Sequence, residues 1–145
     1  MSIKFILLSE NAKLPTRATP CSSGLDLYSP ETTIIKSKTK KIIDLEIKCI
    51  IPSGYDVQIR SRSGLAYNNS IFVLNSPGTI DQDYTGNIKI ILFNLSNEDY
   101  IINKHDRIAQ MVICPIIMPN IEQVESYTTD ITNKRKENGF GSTGK

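Results

Sequence analysis

Isoleucine fills 23 of the 145 positions, and it comes in short runs cut by turn residues. Branching at Cβ stiffens a side chain against the preceding helical turn and suits a pleated, half-buried surface. The runs cover residues 3–8, 32–35, 42–51, 55–60, 71–74, 87–95, 100–102, 108–117 and 121–124. Between them stand Pro52-Ser53-Gly54, Ser76-Pro77-Gly78, Tyr84-Thr85-Gly86 and the polar stretch 94–99. Strands of this length and spacing predict an all-β sandwich or barrel.

Alternation supports the strands. Across 42–50, Ile43, Leu45, Ile47 and Cys49 fall on one face, with Asp44, Glu46 and Lys48 on the other. Residues 87–93 are more continuously apolar, as expected of a central strand covered on both faces. One stretch, 62–69, has the residues for a turn of helix, with Ser63 near its start, where serine is favoured.

A chain this long closes around one core. With 39% hydrophobic and 22% charged residues it can bury that core without a metal or disulfide. Cys21, Cys49 and Cys114 are odd in number and lack CxxC spacing. Cys49 and Cys114 sit in apolar runs and read as buried small hydrophobes, in a reducing compartment. The net charge of +2 is too mild for a protein that coats nucleic acid. The basic run 36–41 reads as a solvated turn. The N-terminus lacks a signal-peptide pattern, and no apolar run is long enough to cross a membrane. The chain is therefore expected to be soluble and intracellular.

Five segments carry the polar chemistry. Ser23-Gly24-Leu25-Asp26-Leu27-Tyr28-Ser29 fits a turn into a strand, or a carboxylate placed near a divalent cation. Arg60-Ser61-Arg62-Ser63-Gly64-Leu65-Ala66 fits a solvated basic turn, or a phosphate cradle at a helix start. Gly78-Thr79-Ile80-Asp81-Gln82-Asp83-Tyr84-Thr85-Gly86 reads as a hairpin. Turn chemistry accounts for some of its aspartates but not for a tyrosine at the tip. A carboxylate in a pocket can act as general base, and an aromatic ring offers a flat face to a sugar or base.

In the fourth segment, Asp106-Arg107-Ile108-Ala109-Gln110, strict alternation sends Arg107 and Gln110 to opposite faces unless the strand begins after Arg107. The only histidine, His105, is expected to be a surface turn residue. The fifth segment follows the basic Lys134-Arg135-Lys136. It is Gly139-Phe140-Gly141-Ser142-Thr143-Gly144-Lys145, poor material for a core and suited to a mobile lid. It is not a Walker A loop, because no strand precedes it and no helix follows.

In this order the segments resemble the five motifs of the trimeric dUTPase family. Arg62-Ser63-Gly64-Leu65-Ala66, Ile80-Asp81-x-Asp83-Tyr84-x-Gly86, Arg107-Ile108-Ala109-Gln110 and Gly139-Phe140-Gly141-Ser142-Thr143-Gly144 stand almost letter for letter. The resemblance covers residues 15–145. It implies a jelly-roll β domain over 1–132, a C-terminal lid over 133–145, and a homotrimer whose active sites lie between subunits.

By position it makes Asp81 the general base for water attack on the α-phosphorus of dUTP, giving dUMP and pyrophosphate. This keeps uracil out of DNA and supplies dUMP for dTTP synthesis. Tyr84 would pack on the deoxyribose and exclude a 2′-hydroxyl. Asn75, with Gly78, Ile80 and the hairpin backbone, would read uracil. Arg62, Ser63, Gly64 and Gln110 would contact phosphates, and Asp26 would hold Mg²⁺ through water. Phe140 and Gly141 would cover the base, with Arg135, Ser142 and Thr143 on the terminal phosphate.

Short length and isoleucine-rich composition look like the poxvirus branch, which would place the protein in the host cytoplasm. Departures from the family pattern include Ser61 for a proline, His105 for a turn glycine, and the charged Arg135-Lys136-Glu137-Asn138 in place of a glycine-richer hinge.

Two other readings compete. A dCTP deaminase of related fold needs a catalytic glutamate, and the five segments hold none apart from Glu137 in the tail that leads into the fifth. A β-barrel for single-stranded nucleic acid would use Arg60, Arg62, Tyr67 and Phe72, but an aromatic content of 7% counts against it.

Overall fold

The structure, a computed structural model, describes residues 2–126. In chain order its elements are β1 (Lys4–Leu7), β2 (Leu25–Tyr28), β3 (Thr33–Ile35), β4 (Lys40–Asp44), β5 (Ile47–Ile50), β6 (Tyr55–Arg60), α1 (Ser63–Asn69), β7 (Ile71–Val73), β8 (Gly78–Ile80), β9 (Lys89–Asn94), β10 (Tyr100–Ile102) and β11 (Arg107–Pro115). The all-β expectation holds. Every pairing is antiparallel, in sheets ordered β2-β11-β6-β8, β4-β9-β7, β1-β5 and β10-β3.

One core joins the sheets. Leu27, Ile47, Val57, Ile71, Leu92 and Ile108, from six different strands, are all buried in it. Period-2 alternation places these residues: Val57 and Ile59 point inward from β6, while Gln58 and Arg60 point out. Emptying one such site costs about 2–5 kcal/mol, because the gap does not fully collapse.

The run 42–51 is two strands rather than one. β4 pairs with β9, β5 pairs with β1, and the chain changes sheets at Leu45 and Glu46. Glu46 takes a left-handed conformation (φ 56°), and its N–H donates to Asp44 Oδ1 at 2.8 Å. Ile43, Leu45, Ile47 and Cys49 nevertheless stay buried on one side, as the alternation predicted.

Other expectations need correcting. β9 is central in its sheet, yet Ile91 and Phe93 are only half-buried, because nothing among the described residues covers that face. Residues 121–124 form no strand, and Ile121 is 99% exposed. Apolar composition alone does not make a strand without a partner edge. Cys49 is buried, but Cys114 is half-exposed, since alternation from the buried Met111 turns it away from the core. The basic run turns only over its first part, tied down by Lys38 Nζ donating to Leu95 O at 2.6 Å, because Lys40 and Lys41 already belong to β4 and pair with β9. No helix among the described residues is long and apolar enough to cross a membrane.

Candidate active site

Two groups of polar side chains gather at opposite ends of β6. The first is built around Asp26 on β2, whose side chain is 12% exposed. Its Oδ1 lies 3.1 Å from Arg62 Nε and its Oδ2 accepts from an Arg107 terminal nitrogen at 3.2 Å. Arg62 also donates to the Arg107 carbonyl at 2.8 Å. An ion pair on one oxygen and a charge-assisted hydrogen bond on the other hold the two guanidinium groups in fixed relation. Gln110 sits opposite Asp26 in the β11–β2 register and donates to Ser61 O at 3.0 Å.

Strict alternation would have separated Arg107 from Gln110. A β-bulge between Arg107 and Ala109 shifts the register by one, so Ile108 and Ala109 are both buried in succession. One extra residue flips every side chain beyond it. Arg107 and Gln110 therefore both reach the Asp26 cluster, which corrects the sequence expectation. Arg107 is the residue that sequence reasoning left without a role. The adjacent apolar pair Ile108-Ala109 was its one available signal.

Arg62 precedes α1 in extended conformation (φ −91°, ψ 126°), and Ser63 and Gly64 open the helix as expected. Gly24 matters by closeness. A Cβ there would overlap Gln110 Oε1 and lie 3.2 Å from Gln110 Cδ. His105 is a surface turn residue in left-handed conformation (φ 67°), with Nε2 3.0 Å from Asn11 O.

The second group surrounds the turn after β8. Thr79, Ile80, Asp81, Tyr84, Asn87 and Lys89 line a cavity of about 170 Å³. Asp81 is exposed, and its carbonyl accepts from Tyr84 N–H at 3.1 Å. The Tyr84 hydroxyl donates to Asn87 O at 2.9 Å. A smaller cavity beside it, about 50 Å³, is lined by Asn75, Gly78, Ile80 and core isoleucines. Asn75 lies close over Gly78, where a Cβ would come within 2.9 Å of its Nδ2.

The expected hairpin is not one. β8 pairs with β6 while β9 pairs with β4 and β7, so the polar turn carries the chain from one sheet to another. That crossing opens the cavity between them.

Asp81 and Tyr84 stand apart from the Asp26 cluster within one chain, although Ser76, beside Asn75, accepts from Ser61 N–H at 3.3 Å. Ile80 is level with Val57 on β6, whereas Arg62 follows the far end of that strand. Six residues of extended chain from Asp56 to Arg62 span on the order of 15–20 Å. Arg135, Phe140, Gly141, Ser142 and Thr143 lie outside the described residues.

Among the described residues no group of three or more His, Cys, Asp or Glu could hold a metal ion. Asp26 already pairs with two arginines and accepts a hydrogen bond from one of them, which leaves lone pairs on both oxygens for water. Mg²⁺ keeps most of its waters and binds through few carboxylates plus substrate phosphates. The donor set therefore fits contact through water and does not fit a closed protein cage.

A profile of the dUTPase family matches residues 10–144. The chain belongs to the dUTPase family. It is 46% identical over 145 residues to the deoxyuridine 5'-triphosphate nucleotidohydrolase of Nautilia profundicola, covering all of both chains. Its fold matches the dUTPase of Staphylococcus bacteriophage 80alpha, a point mutant with dUpNHpp. The TM-score is 0.90 at 30% identity, over 99% of this chain and 98% of that one. It also matches a point mutant of the dUTPase from phage phi11 of S. aureus, described with a structural Mg(II) ion. There the TM-score is 0.83 at 29% identity, over 89% and 100% of the two chains. The chain shares their jelly-roll fold, mostly β with one short helix among the described residues.

Proposed function

We propose that this dUTPase-family enzyme hydrolyses dUTP to dUMP and pyrophosphate, with Asp81 as the general base. The observation that carries the proposal is the cavity holding Asp81 and Tyr84 side by side. A carboxylate at the edge of a nucleoside-sized cavity can take a proton from a water aimed at the α-phosphorus. Tyr84 offers its face to the deoxyribose. Asn75, Gly78 and Ile80, which line the small neighbouring cavity, read uracil in this proposal, and the narrow pocket they help form rejects the methyl group of thymine.

Arg62, Arg107 and Gln110, with Ser63 and Gly64, form the phosphate side. Guanidinium groups fixed by Asp26 stabilise charge on the leaving pyrophosphate without reorganising. Asp26 would hold Mg²⁺ through water, and the ion would supply further neutralising charge. Residues 1–132 are the catalytic domain in this reading. Residues 133–145 are the lid, with Arg135, Ser142 and Thr143 on the terminal phosphate and Phe140 and Gly141 over the base.

The separation of the two groups along β6 supports sites shared between copies of the chain, as in a homotrimer. The outward apolar residues of the β4-β9-β7 sheet (Ile42, Ile91 and Phe93) supply a surface for such an assembly. Residues 116–126 support it too, carrying Ile117, Met118 and Ile121 exposed and without regular structure. Three unpaired cysteines support a reducing, intracellular setting. A viral source of the poxvirus branch rests on length and composition alone. The physiological role follows from the reaction: lowering dUTP keeps uracil out of DNA and furnishes dUMP for dTTP synthesis.

The test is to incubate the purified protein with Mg²⁺ and dUTP, dCTP, dTTP or UTP, and to resolve the products. The expected result is dUMP and pyrophosphate from dUTP alone. Ammonia from dCTP, or no turnover together with tight oligonucleotide binding, overturns it.

A further inference from the structure

The Tyr84 ring does not hang free at the tip of its turn. Its hydroxyl donates to Asn87 O at 2.9 Å, and the ring lies against the backbone of Gly86. A Cβ at Gly86 would lie 2.5 Å from Tyr84 Cζ and 3.0 Å from Cε2, and would overlap the hydroxyl oxygen. Among the described residues Gly54 is the only glycine with positive φ. Glycine at 86 is thus required by the ring above it and not by backbone conformation.

The acceptor is fixed as well. Asn87 Nδ2 donates to Asp44 Oδ2 at 3.0 Å, and the same carboxylate takes the Glu46 N–H on its other oxygen. Ile88, fully buried, donates its N–H to Ile47 O at 2.9 Å. The Asn87 carbonyl is therefore held between a side-chain anchor and a core strand. It cannot follow the ring if the ring moves.

We propose that Gly86 and the Asn87 carbonyl form a seat that fixes the Tyr84 ring, and that this seat sets how strictly the ring selects deoxyribose over ribose. The inference rests on the dUTP-hydrolysing function proposed above. A ring pinned at both its face and its hydroxyl is a rigid wall. A hydroxyl added to the sugar is rejected by such a wall, whereas a compliant pocket discriminates poorly against one extra hydroxyl. A methyl at position 86 lifts the ring. Because Tyr84 is 45% exposed, the ring can swing into solvent without disturbing the core.

The experiment compares kcat/KM for dUTP and UTP in the wild type, Gly86→Ala, Tyr84→Ala and the double variant, alongside thermal melting. Gly86→Ala is expected to melt within a few degrees of wild type. Its dUTP-to-UTP ratio should fall at least ~10-fold, chiefly through improved use of UTP. In the Tyr84→Ala background the same change should add nothing, because the ring it acts through is gone.

An unchanged ratio in Gly86→Ala, an equal further loss in the double variant, or a collapse of the melting temperature would each overturn the seat alone. A wild-type protein inert on dUTP would overturn the function first, and the seat with it.

Discussion

Asp26 and Arg62 meet Oδ1 to Nε at 3.1 Å, and Arg107 closes the other carboxylate oxygen at 3.2 Å. Asp26→Asn leaves two guanidinium groups near one another with no counter-charge. The arginines are partly exposed, at 27% and 49%, so solvent screens some of the loss. A destabilisation of about 2 kcal/mol is expected. Urea denaturation at low and high salt measures it, and the gap to wild type should narrow as salt rises.

Asp81 carries no such structural duty. It is exposed and, among the described residues, its side chain makes no hydrogen bond or ion pair. Asp81→Asn should therefore leave the melting temperature unchanged and retain binding of a non-hydrolysable dUTP analogue. Turnover should fall roughly 10²–10⁴-fold, since an amide cannot accept the proton. Calorimetric binding and a pyrophosphate-release assay together decide it. Lost binding or a retained rate removes Asp81 from the role of base.

Gly24 faces Gln110 so closely that any side chain there displaces the glutamine from Ser61 O. Gly24→Ala should lower kcat/KM for dUTP while the fold persists, because the far end of a glutamine moves more readily than backbone. Steady-state kinetics beside circular dichroism gives both readings.

Asn94 is fully buried on β9, and its amide is completely used. It donates to Ile35 O at 3.0 Å and Glu98 O at 2.8 Å, and accepts from Ser96 N and Oγ at 2.9 and 2.7 Å. Asn94→Ala should cost about 2–4 kcal/mol by stranding buried partners. Asn94→Asp, which cannot donate, should not rescue it. Chemical denaturation of both variants tests this, and a loss below about 1 kcal/mol counts against it.

Burial pushes the Cys49 thiol above its ordinary range, and burial with the nearby Asp106 charge does the same for Tyr100. Both groups hold their protons longer folded than unfolded. The stability this gives is complete below their usual values of 9.0 and 10.0 and is lost as pH rises through the raised ones. The urea midpoint should therefore fall between about pH 8 and pH 11, and the fall should be smaller in Tyr100→Phe.

How much was legible beforehand differs between fold and site. The strands at 55–60 and 100–102, and the buried series Ile43, Leu45, Ile47 and Cys49, could be read directly. Burial of alternate side chains is a local property with a period of two. The break at Glu46 could not be read, because it depends on which neighbour each half-strand pairs with. Residues 121–124 misled for the same reason in reverse: isoleucine and valine favour a strand only where an edge receives them.

The site divides the same way. The sequence by itself determined which residue types were present and in what order: Asp26, Arg62, Asp81, Tyr84 and Gln110, in segments ordered as in the dUTPase family. Only the tertiary structure decided who stands beside whom. The bulge at Arg107–Ala109 turned Arg107 and Gln110 toward the same carboxylate. The crossing between sheets opened the cavity that Asp81 and Tyr84 line. The β6–β8 register kept Asp81 a strand's length from Arg62. Each outcome depends on contacts between distant segments, and a one-residue shift in pairing reverses the direction of every side chain beyond it.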